Sequence, residues 1–192
     1  MDSKNLSILQ SSLMKTKAKK LILISTVDVF SKPECVNENS IAAQAGDNYY
    51  GKNRYNLEQF ISSNFNSYFI CRLSGLVGEN LKKNFLYDLK HNNELHKFNP
   101  ESSFQFYPIS NLWSDINIAL NNNIKLAHFS SQPMSVYEIS RKFNYDIQNF
   151  SKKNKKIIYD MQTIHSQIYN QHSDYLYTKN TINDQIKNYL KK

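Results

Sequence analysis

The start of the chain changes from a helical to a strand-like spacing of apolar side chains. Residues 5–14 carry apolar side chains close to the i, i+3, i+4, i+7 pattern of a helix, and Ser3 precedes them as an N-cap. A basic connection follows, and residues 21–24 are then apolar without interruption. Such a run is typical of a parallel strand that is covered on both faces.

The same alternation repeats further along. A helix is predicted from residue 48 or 49 to residue 62, with Asp47 or Asn48 as its N-cap, and an apolar strand is predicted over residues 68–73. Residues 75–78, with a glycine at each end, are predicted to form a loop. The order helix, strand, helix, strand predicts a parallel sheet with right-handed crossovers, and therefore an α/β fold class.

The pattern is less regular after Gly78. Helical spacing and short apolar runs predict helices at 85–90, 111–120, 135–143 and 181–190, and strands at 104–107 and 126–129. Residues 150–175 are rich in Lys, Asn and Gln with scattered apolar side chains, so we expect this segment to be poorly ordered.

The composition predicts a folded chain, and the positive charge does not by itself indicate a nucleic-acid partner. Of 192 residues, 40% are hydrophobic and 13% aromatic, which is enough for a packed core. The net charge of +8 raises the question of a nucleic-acid partner, but the lysines lie in separate clusters at 15–20, 152–156 and 187–192. No RRM, zinc-finger or helix-turn-helix signature accompanies them. We therefore expect no nucleic-acid partner, and we keep a small basic protein that binds RNA or another partner as an alternative.

Cysteine and histidine usage argues against disulfides and metal sites. Cys35 and Cys71 are far apart and form no CxxC pair, which is typical of a reducing compartment. The histidines have no metal-ligand spacing with a neighbouring Cys or carboxylate, so no metal site is predicted. The N-terminus lacks the pattern of a signal peptide, and no apolar run approaches the roughly 18 residues that cross a bilayer. We expect a cytoplasmic protein with no membrane partner.

Three polar residues carry the candidate chemistry. Thr26 lies at the carboxyl end of the first predicted strand, the edge at which open α/β sheets bind ligands. Tyr50 and Arg54 are one helical turn apart, so they share a helix face. A phenol titrates near pH 10 and acts as a base near neutral pH only where a cation stabilises the phenolate. The trio fits proton transfer at a carbinol carbon, but the spacing also fits a surface Tyr, a solvated Arg and a strand-terminal Thr.

The motifs around these residues resemble, in order and spacing, those of the extended short-chain dehydrogenase/reductase family. Within it they are most similar to the NAD-dependent nucleotide-sugar epimerases and dehydratases. The matching segments are ILISTVDVF at 22–30, YGKNR at 50–54, CRLSGLVG at 71–78 and, more weakly, FQFYPISNLW at 104–113.

The resemblance implies a fold and a set of roles. Residues 1–78 would form the C-terminal part of a Rossmann-like parallel sheet, and residues 79–192 a small α/β substrate-binding lobe with C-terminal helices. Tyr50 would be the general acid/base, Thr26 would bind the substrate oxygen, and Arg54 would replace the family's Lys. Tyr50 and Arg54 would form part of a site for NAD or NADP. The residues implied to contact a nucleotide-sugar substrate are Thr26, Ser25, Asn84 and Phe106.

Aromatic residues near the weaker motif have two interpretations. Trp113 and the aromatic side chains at 104–107 would line a sugar or base pocket, or they would simply form the core of a small lobe.

The chain also departs from the family pattern. It contains no GxxGxxG, the turn that receives the cofactor pyrophosphate at a helix N-terminus. We therefore expect a truncated relative whose missing half a separate polypeptide would supply, and whether this chain is active alone is left open. The alternative is a non-catalytic remnant that acts through partner association. The motifs leave open the nucleotide sugar, the choice between NAD and NADP, and whether the reaction is epimerisation, dehydration or reduction.

Overall fold

The computed structural model describes residues 3–42 and 48–191, with the backbone alone for residues 3 and 4. The helices are α1 (Ser3–Met14), α2 (Tyr49–Asn64), α3 (Phe85–His91), α4 (Leu112–Asn121), α5 (Val136–Lys142) and α6 (Lys179–Lys191). The strands are β1 (Leu21–Thr26), β2 (Tyr68–Leu73), β3 (Gly75–Val77), β4 (Ser103–Phe104), β5 (Phe106–Pro108), β6 (Leu126–Phe129) and β7 (Met134–Ser135).

A parallel sheet with strand order β1-β2-β6 forms the centre of the molecule, which confirms the predicted α/β class. Successive side chains of a strand point to opposite faces, so the sheet has two apolar surfaces. On one face, Leu23 and Ile70 pack with residues of α1 and α2 such as Leu6 and Leu57. On the other, Phe69 packs in a second cluster that includes residues of α4 and β6.

The first two helices begin close to their predicted positions. Helix α1 already includes Ser3, so this residue lies within the helix and not before it as a cap. Asn48 is the N-cap of α2, because its side-chain oxygen accepts a hydrogen bond from the Gly51 N–H at 3.2 Å. Asp47, the other predicted cap, lies outside the described residues.

The region around Gly75 and Gln105 differs from its prediction. The expected loop at 75–78 contains β3, which pairs in parallel with β5. The single strand expected at 104–107 is divided, because β4 pairs antiparallel with β7 while β5 pairs with β3. The division falls at Gln105, whose buried side chain donates to the carbonyls of Ser131 (2.6 Å) and Met161 (3.0 Å). These remote partners gave no signal in the local pattern.

Residues 150–175 follow a defined path, in contrast to the poor order expected from their composition. Isolated β-bridges join Ile158 to Ser103 and Met161 to Val36. Met161 is completely buried, and the Gln105 side chain bonds both its N–H and its carbonyl. The segment is held by partners far away in sequence, which a local window of Lys, Asn and Gln could not reveal.

A buried ion pair ties α2 to the central sheet. The Arg72 guanidinium on β2 donates two hydrogen bonds to Glu58 Oε2, at 2.7 and 3.2 Å, and one to Oε1 at 3.1 Å. Both side chains are buried, and the Ser25 hydroxyl donates to the same carboxylate. Buried charges are tolerated when their hydrogen-bonding groups are satisfied in this way, so removing one partner is costly.

We predict that Glu58→Gln lowers the free energy of unfolding by roughly 3–5 kcal/mol, because the Arg72 charge is then buried without a carboxylate. Urea unfolding measures the loss. The matched control is Glu101→Gln, which removes an exposed ion pair with Lys152 (3.5 Å) and should change stability by at most about 1 kcal/mol. Equal effects of the two substitutions would contradict a structural role for the buried pair.

Candidate active site

A cleft of about 890 Å³ opens at the carboxyl ends of β1 and β2. Thr26 enters it from the end of β1, and Tyr50 and Arg54 enter it from α2. The loop that follows β3 also lines the cleft. The lining residues are Ile24, Ser25, Thr26, Asp28, Tyr50, Arg54, Leu73, Ser74, Gly75, Leu76, Asn80, Leu81, Lys82, Lys83 and Asn84. The structure thus brings the three candidate catalytic residues to one cleft.

Arg54 lies between the phenol ring and the edge of the sheet. Its guanidinium carbon is 5.5 Å from the centre of the Tyr50 ring, and its Nη1 donates to the Ile24 carbonyl at 2.6 Å. The Leu21 N–H donates to the Ser67 carbonyl, so the N–H and C=O of Leu21 point toward β2. These groups alternate in direction from one residue to the next, so the N–H and C=O of Ile24 point away from β2. Arg54 therefore satisfies an acceptor on the outer edge of β1 and keeps its charge beside Tyr50, which is 49% exposed.

Thr26 is paired with a carboxylate that the sequence analysis did not single out. The Asp28 N–H donates to Thr26 Oγ1 at 3.2 Å, and the Thr26 hydroxyl lies 3.4 Å from Asp28 Oδ2. Asp28 lines the cleft beside Thr26. Its position two residues after a strand-terminal Thr, at the ligand-binding edge of a parallel sheet, was the signal that could have identified it.

A smaller cavity of about 260 Å³ joins the same region and shares Thr26, Asp28, Ser74, Gly75 and Asn84 with the cleft. Its remaining wall is mainly aromatic, from Phe85, Phe104, Phe106 and Tyr159.

The four residues implied to contact substrate have different surroundings. Thr26 and Asn84 line both cavities, while Phe106 lines only the smaller one. Ser25 lines the cleft, but its hydroxyl donates to Glu58. The Asn84 side chain caps α3 by accepting from the Tyr87 N–H (3.1 Å), and it also donates to a backbone carbonyl. Ser25 and Asn84 therefore hold the walls of the site with their polar atoms.

The aromatic residues around β5 divide between the cavity and the rest of the fold. Phe104 and Phe106 line the smaller cavity, whereas Tyr107 is buried in the core cluster of the central sheet. Trp113 on α4 is 65% exposed and lines neither cavity.

Gly75 is required where β3 approaches β5. A Cβ atom at this position would lie 2.9 Å from the Gln105 carbonyl oxygen, which is backbone and cannot move aside cheaply. The absence of a side chain thus allows β3 to form the boundary shared by the two cavities.

The ion pair under the cleft continues to a buried histidine. Arg72 Nη1 lies 3.2 Å from His128 Nε2, and His128 Nδ1 lies 2.9 Å from the Gln162 carbonyl. Since an arginine only donates, Nε2 accepts and the proton is on Nδ1. Burial lowers the pKa of His128 to about 4, the nearby Glu38 carboxylate opposes this shift, and the Arg72 charge adds to it.

We predict that His128 makes folding stability fall as the pH drops from about 6.5 to about 4. Its folded pKa of about 4 lies below the unfolded value of about 6.5, so the unfolded chain binds the extra proton within this window. The stabilisation is complete above the unfolded value, and up to roughly 3 kcal/mol is lost on acidification. His128→Asn should flatten this part of the urea-unfolding profile. His172→Asn, at an exposed position, should leave it unchanged, and an unaltered slope in His128→Asn would refute the assignment.

The described residues fit only one end of a dinucleotide. Tyr50 and Arg54 offer a hydroxyl and a cation at the cleft. A glycine-rich turn between strand and helix, which would receive a pyrophosphate, is not found among residues 3–42 and 48–191.

In the same residues, no group of three His, Cys, Asp or Glu side chains is placed to hold a metal ion. Nor does any described helix have the length and apolar character needed to cross a membrane.

Solved structures with this fold are nucleotide-sugar enzymes in several cases. The dTDP-glucose 4,6-dehydratase of Bacillus anthracis, solved with NAD, aligns with a TM-score of 0.70 and 11% identity, covering 97% of this chain and 65% of that protein. The UDP-glucuronic acid 4-epimerase of Bacillus cereus, also with NAD, gives 0.70 and 16%, covering 98% and 67%. The dTDP-4-dehydrorhamnose reductase of Yersinia enterocolitica gives 0.63 and 16%, covering 97% and 70%.

The chain shares the α/β fold of these enzymes. It spans about two thirds of their length. Neighbours solved with NADPH occur as well as those with NAD, and an L-threonine 3-dehydrogenase is also among them, so the fold alone does not select a substrate. A scan against family models and a search of curated proteins both found no match.

Proposed function

We propose that this chain carries the acid/base centre of an NAD- or NADP-dependent nucleotide-sugar epimerase, dehydratase or reductase. The observation that carries the proposal is the convergence of Thr26, Tyr50 and Arg54 on one cleft at the carboxyl edge of a parallel sheet. The fold is shared with enzymes of these activities, and the cleft is where such a sheet binds ligands.

In this proposal Tyr50 exchanges a proton with the oxygen of a sugar carbinol. The Arg54 charge, 5.5 Å from the ring centre, stabilises the phenolate that accepts this proton. Thr26 lies in the same cleft and donates a hydrogen bond to the substrate oxygen. When bound, the nicotinamide cofactor would accept a hydride from the carbinol carbon or, in a reduction, donate one to the carbonyl carbon.

Asp28 supports a further proton-transfer step. A carbonyl makes a C–H bond on the adjacent carbon more acidic, and a carboxylate beside Thr26 is placed to take that proton. Reduction of a carbonyl needs no such base, whereas epimerisation or dehydration next to a carbonyl does. The presence of Asp28 in the cleft therefore favours these two reactions within the proposed group.

The lining of the cleft supports a nucleotide sugar as substrate. Lys82 and Lys83 line the cleft and bring two cations to it, and ammonium groups bind the diphosphate of a nucleotide sugar as point charges. The smaller cavity beside Asp28 combines a carboxylate with aromatic walls, which suits the hydroxyls and the apolar ring face of a sugar.

The cofactor would be held largely by a polypeptide that pairs with the outer edge of β1. Among the described residues β1 has a partner strand on one side only, and Ile24 on this edge is 36% exposed. A free edge with unpaired peptide groups is a template for another strand. A strand that paired here would replace the Arg54 bond to the Ile24 carbonyl and release the guanidinium toward the cleft. A remnant that only associates with a partner would use the same edge without turnover.

We predict that Tyr50→Phe reduces turnover by at least about a hundredfold with little loss of stability, since only the phenolic proton carrier is removed. Turnover is measured with UDP- and dTDP-sugars and NAD or NADP, with the chain alone and with a polypeptide carrying a GxxGxxG half. The control is Tyr49→Phe, because Tyr49 is the next residue in α2 and is 79% exposed. Full activity of Tyr50→Phe would show that the assignment is wrong. Failure of the mixture to bind NAD(H) in a fluorescence titration would leave the non-catalytic remnant as the better reading.

Arg54→Lys should preserve or raise turnover. Lysine keeps the positive charge near the phenol while removing the planar fork that bonds the Ile24 carbonyl. Arg54→Met, which has a similar length but no charge, should lower turnover in the same assay. Equal activity of the Lys and Met variants would exclude an electrostatic role for this residue.

A further inference from the structure

A distant part of the chain reaches the acid/base centre through the crossing segment (residues 157–163). Tyr159 from this segment lines the smaller cavity, and its hydroxyl donates to Asp28 Oδ1 at 3.2 Å. The two residues are 131 positions apart in sequence. The contact therefore joins the C-terminal region directly to the residue beside Thr26.

The backbone of the crossing segment is fixed on both sides of Tyr159. The Tyr159 N–H donates to the Ser103 carbonyl at 3.0 Å, and the Ser103 N–H donates to Ile157 at 2.9 Å. One residue further on, the Asp160 N–H donates to Pro33 at 2.6 Å. These bonds anchor the segment to β4 and to the loop that follows β1, so the Tyr159 side chain leaves a backbone with little freedom.

The ring of Tyr159 is also held. It stacks on Phe104 with ring centres 5.9 Å apart and an angle of 29° between the rings. Phe104 in turn stacks on Phe85 at 5.3 Å and 14°. Burial, and then the Asp28 charge, raise the pKa of Tyr159 well above its usual value, so the hydroxyl stays protonated as a donor.

The carboxylate of Asp28 thus has a different neighbour on each oxygen. Oδ1 accepts from Tyr159, and Oδ2 lies beside the Thr26 hydroxyl. A carboxylate with only one neighbour is free to rotate about its last torsion, which is broad and roughly two-fold. The second contact fixes the orientation and directs Oδ2 toward the cleft residue Thr26.

We propose that Tyr159 is a positioning residue that holds the Asp28 carboxylate in the orientation used for proton transfer. This inference rests on the proposed function, because Asp28 is assigned its base role there. Tyr159 acts through Asp28 and need not touch the substrate's reacting atoms.

The chain offers a matched control at Asp160, the next residue of the crossing segment. The Tyr175 hydroxyl donates to Asp160 Oδ1 at 2.6 Å, so it also bonds a carboxylate of the crossing segment. Tyr175 lines neither the cleft nor the smaller cavity. Tyr175→Phe therefore removes the same kind of hydrogen bond without changing the surroundings of Asp28.

The test compares Tyr159→Phe, Asp28→Asn, their double variant and Tyr175→Phe in the full chain. Turnover of nucleotide sugars, measured alone and with the polypeptide carrying a GxxGxxG half, gives kcat and KM, and urea unfolding gives the midpoint urea concentration of each variant. We expect Tyr159→Phe to lower kcat about tenfold with KM nearly unchanged, which corresponds to one hydrogen bond. In the Asp28→Asn background the same substitution should lower kcat no further. Tyr175→Phe should leave kcat unchanged.

Equal losses from Tyr159→Phe with and without Asp28 would overturn the inference, because Tyr159 would then act by another route. Unchanged kcat in Tyr159→Phe would also overturn it. If the unmodified protein turns over no nucleotide sugar with either cofactor, both alone and mixed with a polypeptide carrying a GxxGxxG half, the proposed function fails, and unfolding decides the positioning contact by itself. Non-additive shifts of the midpoint for Tyr159→Phe and Asp28→Asn would support it, and additive shifts would refute it.

Discussion

The buried pair of Glu58 and Arg72 fixes the relation between α2 and the central sheet. Tyr50, Arg54 and Glu58 are spaced by four residues, so they lie on one side of α2. Glu58 is bound to the sheet by its ion pair with Arg72, and Tyr50 and Arg54 line the cleft. A helix anchored at one point by a charged pair, and along its length by Leu57 and Ile61, presents its remaining residues in a defined position. The placement of the candidate acid/base therefore depends on a buried ion pair that does not itself line the cleft.

The spacing of apolar residues correctly predicted the helices and strands whose signal lies within a short stretch of sequence. The uninterrupted apolar run at the start of β1 and the helical spacing of α2 are properties of short windows, and the parallel pairing of β1 with β2 follows from their alternation. The division of one predicted strand into β4 and β5 depends on Gln105, which bonds residues 26 and 56 positions away. A short window carries no information on such partners.

The residues of the candidate site also differ in whether a short stretch of sequence could predict them. Thr26, Tyr50 and Arg54 were predicted because ordered motifs relate them to a family, and they do meet at one cleft. Asp28 could also have been predicted from the sequence, because it follows the strand-terminal Thr26 by two residues. Tyr159 could not have been predicted, because its place in the cavity depends on bonds from the crossing segment to Ser103 and on a Phe104 ring.

Arg54 connects the edge of the sheet with the chemistry of the cleft. The planar guanidinium of Arg54 donates a hydrogen bond to the Ile24 carbonyl. A lysine at this position would lack the planar fork of donors. The same guanidinium lies over the Tyr50 ring, so any change at the outer edge of β1 also changes the charge beside the phenol. A strand that pairs with this edge needs the Ile24 carbonyl for its own N–H. Pairing and the loss of the Arg54 bond to Ile24 would then be a single event, so in the proposed function the charge beside Tyr50 would respond to extension of the sheet.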